Sequence, residues 1–317
     1  MLSLEPTHAA ILRTLCFYEV IGYAPTRAEL FLTLDGGGED IGTSQAELLN
    51  TVRLNHAWGA LVSAGIIFEQ HGRVCCAAAS SDLIPTIQSR DWLQPFKRRR
   101  AQRVADYLSR LPSVRFVALV NTTALGYARA ESDLDFFVLV RAGTIWTSRL
   151  LGGLPFRIMG MMPNDQPQQH AICLSYWITD DALELASHTL PGDDPYFRYW
   201  FLSLLPLFDD GVSQIFWRTN AQLRARHPRA QPWVIAPEVD NAQCAAGARS
   251  DPARYSVFEV LARQLQLRWF PQTVVARMNR DTTVIVNDQV LKFHVIDRRQ
   301  AYRQQYKDLC QLRGVRA

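Results

Sequence analysis

The 317 residues hold no apolar run long enough to cross a bilayer; the densest window, 199–208, is short and contains Pro206. The opening MLSLEPTHAAIL lacks a basic segment followed by a long apolar one, so no signal peptide is expected. Cysteine is sparse: Cys16, Cys75, Cys76, Cys173, Cys244 and Cys310 are scattered, with no CxxC and no Cys/His spacing of the zinc type. Most lie in apolar runs, which favours buried free thiols over disulfides and makes the cytoplasm the expected compartment. No GxSxG, Walker-type or GxGxxG run is present, and no Ser/His/Asp or Cys/His set stands out. The net charge of +4 is too mild to name a partner, and 48% hydrophobic with 20% charged residues describes an ordinary globular chain.

The first 80 residues read as a small helical unit. Thr7 is placed to cap a helix from His8 to about Val20, where Ile11, Leu12, Leu15 and Tyr18 recur at helical spacing. Gly22 and Pro25 break it, and Thr26 starts a second helix with Glu29 at the capping-box position. Residues 35–41, with three glycines, read as a loop. Thr43 is expected to cap a longer helix bearing Leu48, Leu49, Val52, Leu54, Leu61 and Val62, ended by Gly65. Residues 66–68 and 73–77 flank His71-Gly72 as a hairpin does. Three helices and a hairpin in this order resemble a winged helix-turn-helix. Residues 46–64 offer only Arg53 and His56 as basic groups, so the sequence favours protein packing over DNA reading for this unit.

Residues 81–90 look like a linker into a long helix with Pro95 in its first turn and its end near Leu111. Lys97, Arg98, Arg99, Arg100, Arg103 and Arg110 make it basic, while Ala101, Val104, Ala105 and Leu108 recur at core spacing. Such a stripe is a solvated face or an attractor for phosphate and nucleic acid. After Pro112 comes the stretch 116–140, FVALVNTTALGYARAESDLDFFVLV. Residues 116–120 are of strand length and composition, and Asn121-Thr122-Thr123 forms a small polar turn. A second apolar run, 134–140, has Asp133 and Asp135 at its start. Carboxylates at i and i+2 on a strand share a face and repel unless a proton or cation sits between them. Hard oxygen ligands of this kind suit Mg²⁺.

Strand, small turn, short helix and Ser-Asp-x-Asp on the next strand resemble the DNA polymerase beta-like nucleotidyltransferase superfamily. The chain is similar to a bacterial subgroup that pairs such a core with a winged-helix-like front. Gly126, Ser132, Asp133 and Asp135 fit the pattern, while Asn121 and Thr122 stand where the superfamily has Gly-Ser. Asn tolerates positive φ and Thr keeps the hydroxyl, so phosphate contact is compatible with the change. The resemblance implies Asp133 and Asp135 as catalytic metal ligands, in a site able to take two Mg²⁺. It implies Asn121, Thr122, Thr123, Gly126 and Ser132 as nucleotide and phosphate binders, an NTP as substrate, and an unidentified acceptor. A third carboxylate belongs on a later strand, here 171–178, but that run has none; Ser175 is the small polar residue nearest the place. Asp165 precedes the strand and Asp180 and Asp181 follow it. Residues 144–151 should begin a helix interrupted by Gly152, Gly153 and Pro155. Arg149 and Arg157 read either as phosphate partners or as surface charges.

Beyond residue 180, helices are expected over 181–190, 196–208, 212–225 and 254–270, with 228–252 as a loop. Residues 282–286 and 289–293 flank Asn287-Asp288 as a hairpin, and an amphipathic helix closes the chain near Arg313. On a strand Lys292 and His294 share a face; they either reach a phosphate together or decorate an exposed hairpin edge. His170, His188 and His227 receive no role. The expected class is α+β: a winged-helix-like domain over 1–80, a nucleotidyltransferase-type mixed sheet with helices over 90–185, and a mainly helical region over 186–317 with a hairpin at 282–293. The function expected is Mg²⁺-dependent transfer of a nucleoside monophosphate from an NTP, or, alternatively, a catalytically reduced module binding nucleotide, DNA or protein. Nucleic acid would approach through 1–80 or the basic helix 97–110, and no membrane partner is expected.

Overall fold

The computed structural model describes residues 5–38, 48–77, 79, 82–163, 171–234 and 257–317. It is a mixed α+β protein with a six-stranded mixed sheet. Among the described residues, no helix is long and apolar enough to cross a membrane.

Helix α1, Pro6–Val20, starts before Thr7 because Pro6 occupies its first turn, where the missing N–H costs nothing. Its buried set, from Ile11 to Arg13 and Thr14, runs round the helix, as expected for one packed on several sides. Helix α2, Arg27–Leu32, has the full capping box between Thr26 and Glu29. Thr43 lies outside the described residues; helix α3, Thr51–Ser63, is instead capped by Asn50, whose side chain accepts from Val52 and Arg53 N–H. Strands β1, Ile67–Gln70, and β2, Arg73–Cys76, join through His71 and Gly72, both at positive φ (53° and 73°), the geometry of a tight primed turn.

Helix α4, Leu83–Gln88, occupies the stretch that reads as a linker. Helix α5, Gln94–Leu108, then leads into β3, Val114–Leu119, the single-turn α6, Asn121–Ala124, and β4, Leu134–Val140. Helix α7, Ile145–Ile158, runs unbroken through both glycines and Pro155. A Cβ on Gly152 would meet Leu108 at 2.8 Å and Trp177 at 3.1 Å, so this glycine lets the helix sit close to its neighbours. Pro155 deprives the Leu151 carbonyl of its helical donor, and the Tyr107 hydroxyl replaces it at 2.8 Å. Strand β5, Ile172–Thr179, lies parallel to β4, the one parallel pairing of the sheet among the described residues.

Residues 196–208, expected as one helix, divide into α8, Pro195–Leu202, and β6, Leu205–Asp209. The segment is apolar on all sides, so period alone does not separate a buried helix from a strand. Pro206 fits because β6 is an edge strand, paired among the described residues only with β3. Residues 181–190 form only a short 3₁₀ turn, Ala186–His188. The Asn220 side chain pins that segment through Leu185 N–H (2.9 Å) and Leu183 C=O (2.8 Å), and it divides 212–225 into α9, Ser213–Thr219, and α10, Ala221–Arg224. Helix α11, Val257–Trp269, the turn α12, Gln272–Val275, strands β7, Val284–Val286, and β8, Val290–Phe293, and helix α13, Arg299–Leu312, complete the chain. Sheet order is β6-β3-β4-β5-β8-β7, so β8 is an interior strand.

One apolar cluster covers each face of the sheet, and a third joins the front helices to Tyr199, Tyr306 and Cys310. Within that third cluster lies the fully buried carboxylate of Asp35. It accepts from Arg226 Nε at 2.9 Å, Arg198 Nη2 at 3.1 Å and Tyr306 Oη at 3.2 Å. Burial alone would raise its pKa, but Arg198, Arg226 and His227 hold it below the ordinary carboxylate range. Asp35→Asn leaves two buried guanidinium groups short of charge and should cost about 3–5 kcal/mol in urea unfolding at neutral pH. With a depressed folded pKa, the Asp35 contribution is complete above the unfolded value of about 3.9 and fades below it. The gap between wild type and variant should therefore close in acid; a gap that is small at neutral pH or constant with pH refutes the ion-pair account.

Candidate functional site

Strand β3 ends at the turn that starts α6, and the first residue of that turn, Asn121, has φ +59°. Its side chain links two parts of the chain: Nδ2 donates to Asp135 Oδ2 at 3.0 Å, and Oδ1 accepts from Tyr196 Oη at 3.1 Å. The Val120 N–H donates to the Asp135 carbonyl at 3.0 Å, so backbone and side chain tie the turn to the start of β4. Thr123 is buried and its hydroxyl donates to the Asp133 carbonyl at 3.3 Å. The Thr122 carbonyl accepts from Tyr127 N–H, and the Ser132 hydroxyl accepts from Arg129 N–H at 3.0 Å. Gly126, at φ +77°, closes the turn, and a Cβ built there would lie 3.8 Å from the Arg98 guanidinium.

Asp133 and Asp135 are both partly buried. Burial first, then repulsion from Asp135, raises the Asp133 pKa. Burial also raises Asp135, against hydrogen bonds from Asn121 and the Cys173 thiol that stabilise its anion. Cys173 is the partner of Asp135 across the parallel β4–β5 register, and burial raises its thiol pKa well above the usual value. Lys97, fully buried on α5, donates to the Ser132 carbonyl at 2.5 Å. Burial pulls its pKa down to about 8, against the pull of Asp133, Glu131 and Asp135. The sequence reads Lys97 as part of a basic stripe, either a solvated face or an attractor for phosphate and nucleic acid. The missed signal is its register: positions 97, 101, 104, 105 and 108 lie on one helical face.

Beside this turn lies a cavity of about 560 Å³. Asn121, Thr122 and Ser132 line it, together with Arg90, Arg129 and Arg298. The rings of Tyr196 and Tyr302 stack there at 5.3 Å. These aromatic and Arg90/Arg298 contributions come from segments distant in the chain, with no local pattern to reveal them.

Lys292 and His294 are not part of this group. Lys292 is fully buried on the interior strand β8, its ammonium 5.4 Å from the Tyr176 ring and 5.2 Å from Phe197, with its Nζ donating to the His188 carbonyl at 3.4 Å. Burial pulls its pKa to about 7. His294 follows β8, edge-on to Tyr176, and burial pushes its pKa to about 3. Among the described residues, neither forms an ion pair or hydrogen bond with Asp133 or Asp135.

Among the described residues, no group of three or more His, Cys, Asp or Glu side chains is arranged to hold a metal ion. Asp133 and Asp135 are therefore a pair. Both carboxyl groups have raised pKa values, with the Lys97 ammonium nearby. Compared with family models, curated proteins and solved structures, the chain shows no match.

Two outcomes are expected here. Asn121→Ala should be about 1–2 kcal/mol less stable than Asn121→Gly, since both lose the clamp but only Ala is strained at positive φ; equal urea midpoints contradict this. Lys97 has a folded pKa below its unfolded value, so the unfolded chain binds more protons between about pH 8 and about pH 10.4. Wild-type stability should rise across that window relative to Lys97→Met, and parallel profiles exclude the shift.

Proposed function

We propose that this chain is a nucleotidyltransferase-like protein that binds an NTP in the cavity beside Asn121 and transfers a nucleoside monophosphate to an acceptor hydroxyl. The observation that carries the reading is the clamp from Tyr196 through Asn121 to Asp135 at a cavity with three arginines and two stacked tyrosines. In this reading Asp133 and Asp135 hold Mg²⁺, which neutralises the triphosphate when bound. Thr122 and the backbone at 121–123 contact phosphate, and Gly126 allows close approach. Arg90, Arg129 and Arg298 offset the remaining negative charge, and the Tyr196–Tyr302 stack offers a flat surface to the base. Lys97 keeps the carboxylate loop in place through the Ser132 carbonyl. The family reading rests on Ser132-Asp133-Leu134-Asp135. The front unit, winged-helix-like in its element order, serves in this reading as a packing domain. Free thiols at Cys16, Cys75, Cys76 and Cys310 are buried, which suits a reducing compartment such as the cytoplasm.

One observation favours a second reading, nucleotide binding without transfer. Cys173, a neutral thiol, stands opposite Asp135, and no third carboxylate joins the pair among the described residues. Calorimetry with MgATP and the other Mg-NTPs should give saturable binding that requires Mg²⁺. Asp133→Asn with Asp135→Asn should weaken it at least about tenfold. Absence of Mg²⁺-dependent binding sinks both readings. Binding without transfer of labelled nucleotide to any component of a cell extract leaves only the second.

A further inference from the structure

A second chamber, of about 280 Å³, opens beside the start of β5, between α7, α11 and the end of β8. Its wall is largely apolar, with Leu150, Leu154, Trp269, Phe270, Val274 and Phe293. Arg149 reaches into it from α7. Its guanidinium lies 4.5 Å from the Phe293 ring centre and 5.6 Å from that of Phe270. Nη1 donates to Gln266 Oε1 at 2.6 Å, which fixes the orientation of the group. Its Nε is buried and has no acceptor.

Three other guanidinium groups of low exposure have carboxylate partners, while the fully buried Arg13 has backbone carbonyls. Arg198 and Arg226 share Asp35, and Arg299 has Asp194 and Asp297. Among the described residues, Arg149 has no carboxylate partner. Burial, then the neighbouring Arg157, lowers its pKa only to about 10, so it is a cation at neutral pH. The Cys173 thiol in the same wall is neutral and supplies no counter-charge. Arg157, exposed at the rim, lies 5.6 Å from the Trp269 ring. Among the described residues, this cation in a largely apolar chamber has no anion beside it.

We propose that this chamber binds a small monocarboxylate with an apolar body. The carboxylate accepts from the guanidinium of Arg149, while the body lies against the aromatic wall. Arg149 balances one negative charge inside the chamber, with Arg157 exposed at its rim, whereas a phosphate monoester would bring a second charge against the apolar wall. Volume sets the size of the ligand: a single ring or short chain fits, a nucleotide does not. The proposal stands on this chamber alone and does not depend on nucleotide binding elsewhere.

The test uses the full chain and 3-phenylpropionate as probe, with 3-phenylpropan-1-ol as its neutral counterpart and phenyl phosphate as the dianion. Calorimetry should show one saturable site for the carboxylate, with the alcohol and the phosphate each weaker by about tenfold or more. Arg149→Met should weaken the carboxylate by about tenfold and leave the alcohol nearly unchanged. Gly153→Leu should remove binding of both, because it fills the chamber; a Cβ at Gly153 meets only Met162 and Leu174, at 3.9 and 4.0 Å. If Arg149→Met does not melt cooperatively, Gly153→Leu decides. No saturable carboxylate binding, undiminished binding in the interpretable variant, or tighter binding of phenyl phosphate overturns the proposal.

Discussion

The buried charge of Asp35 is the constraint on which the arrangement of the chain depends. A lone carboxylate in an apolar cluster is untenable, so its position is defined by the groups that neutralise it. Those groups come from far along the chain: Arg198 on α8, Arg226 after α10 and Tyr306 on α13. Arg13 on α1 holds the Asp35 carbonyl at 3.2 Å, and His227 holds that of Thr33 at 2.9 Å. The front helices are thus joined to the sheet-bearing part by directional bonds within a shared apolar cluster. Hydrophobic burial supplies attraction without orientation; this network supplies orientation.

That docking matters for the site because the large cavity is composite. Phe17, Tyr18, Ile21 and Gly22 on one side and Asn121, Thr122 and Ser132 on the other line the same space. Tyr127 bridges them, its hydroxyl donating to the Ile21 carbonyl at 3.0 Å. The carboxylate pair is served by a different set of contacts: Asn121 on one oxygen of Asp135, the Cys173 thiol beside it, and Lys97 under the loop. Burial raises the pKa of both carboxyl groups, and the charge of Lys97 partly offsets that rise.

Local signals in the sequence account for much of the fold. Thr26 with Glu29, Pro95 in a first turn, and His71-Gly72 and Asn287-Asp288 between apolar runs all specify structure within a few residues. The α+β class and the strand at 134–140 follow from the same kind of pattern. Residues 205–209 do not, because their strand character comes from pairing with β3, and an all-round apolar run carries no period. Helix α7 passes through Pro155 because Tyr107, 48 positions earlier, supplies a donor. The turn at Asn121 and the pair Asp133/Asp135 are contiguous and readable. Lys97 is readable only if its register is weighed above its charge. Tyr196, Tyr302, Arg90 and Arg298 join the site through tertiary packing, for which a single sequence has no local mark.

The hydroxyl of Tyr107 on the Leu151 carbonyl has a mechanical side. It pins α5 to α7 at the point where Gly152 already brings them against each other. Helix α5 carries Lys97 to the carboxylate loop, and α7 carries Arg149 to the smaller chamber. Sliding one helix along the other would strip a carbonyl of its only replacement donor and drive Leu108 into a backbone with no room to yield. The two helices are thus joined at this point, α5 bearing Lys97 and α7 bearing Arg149.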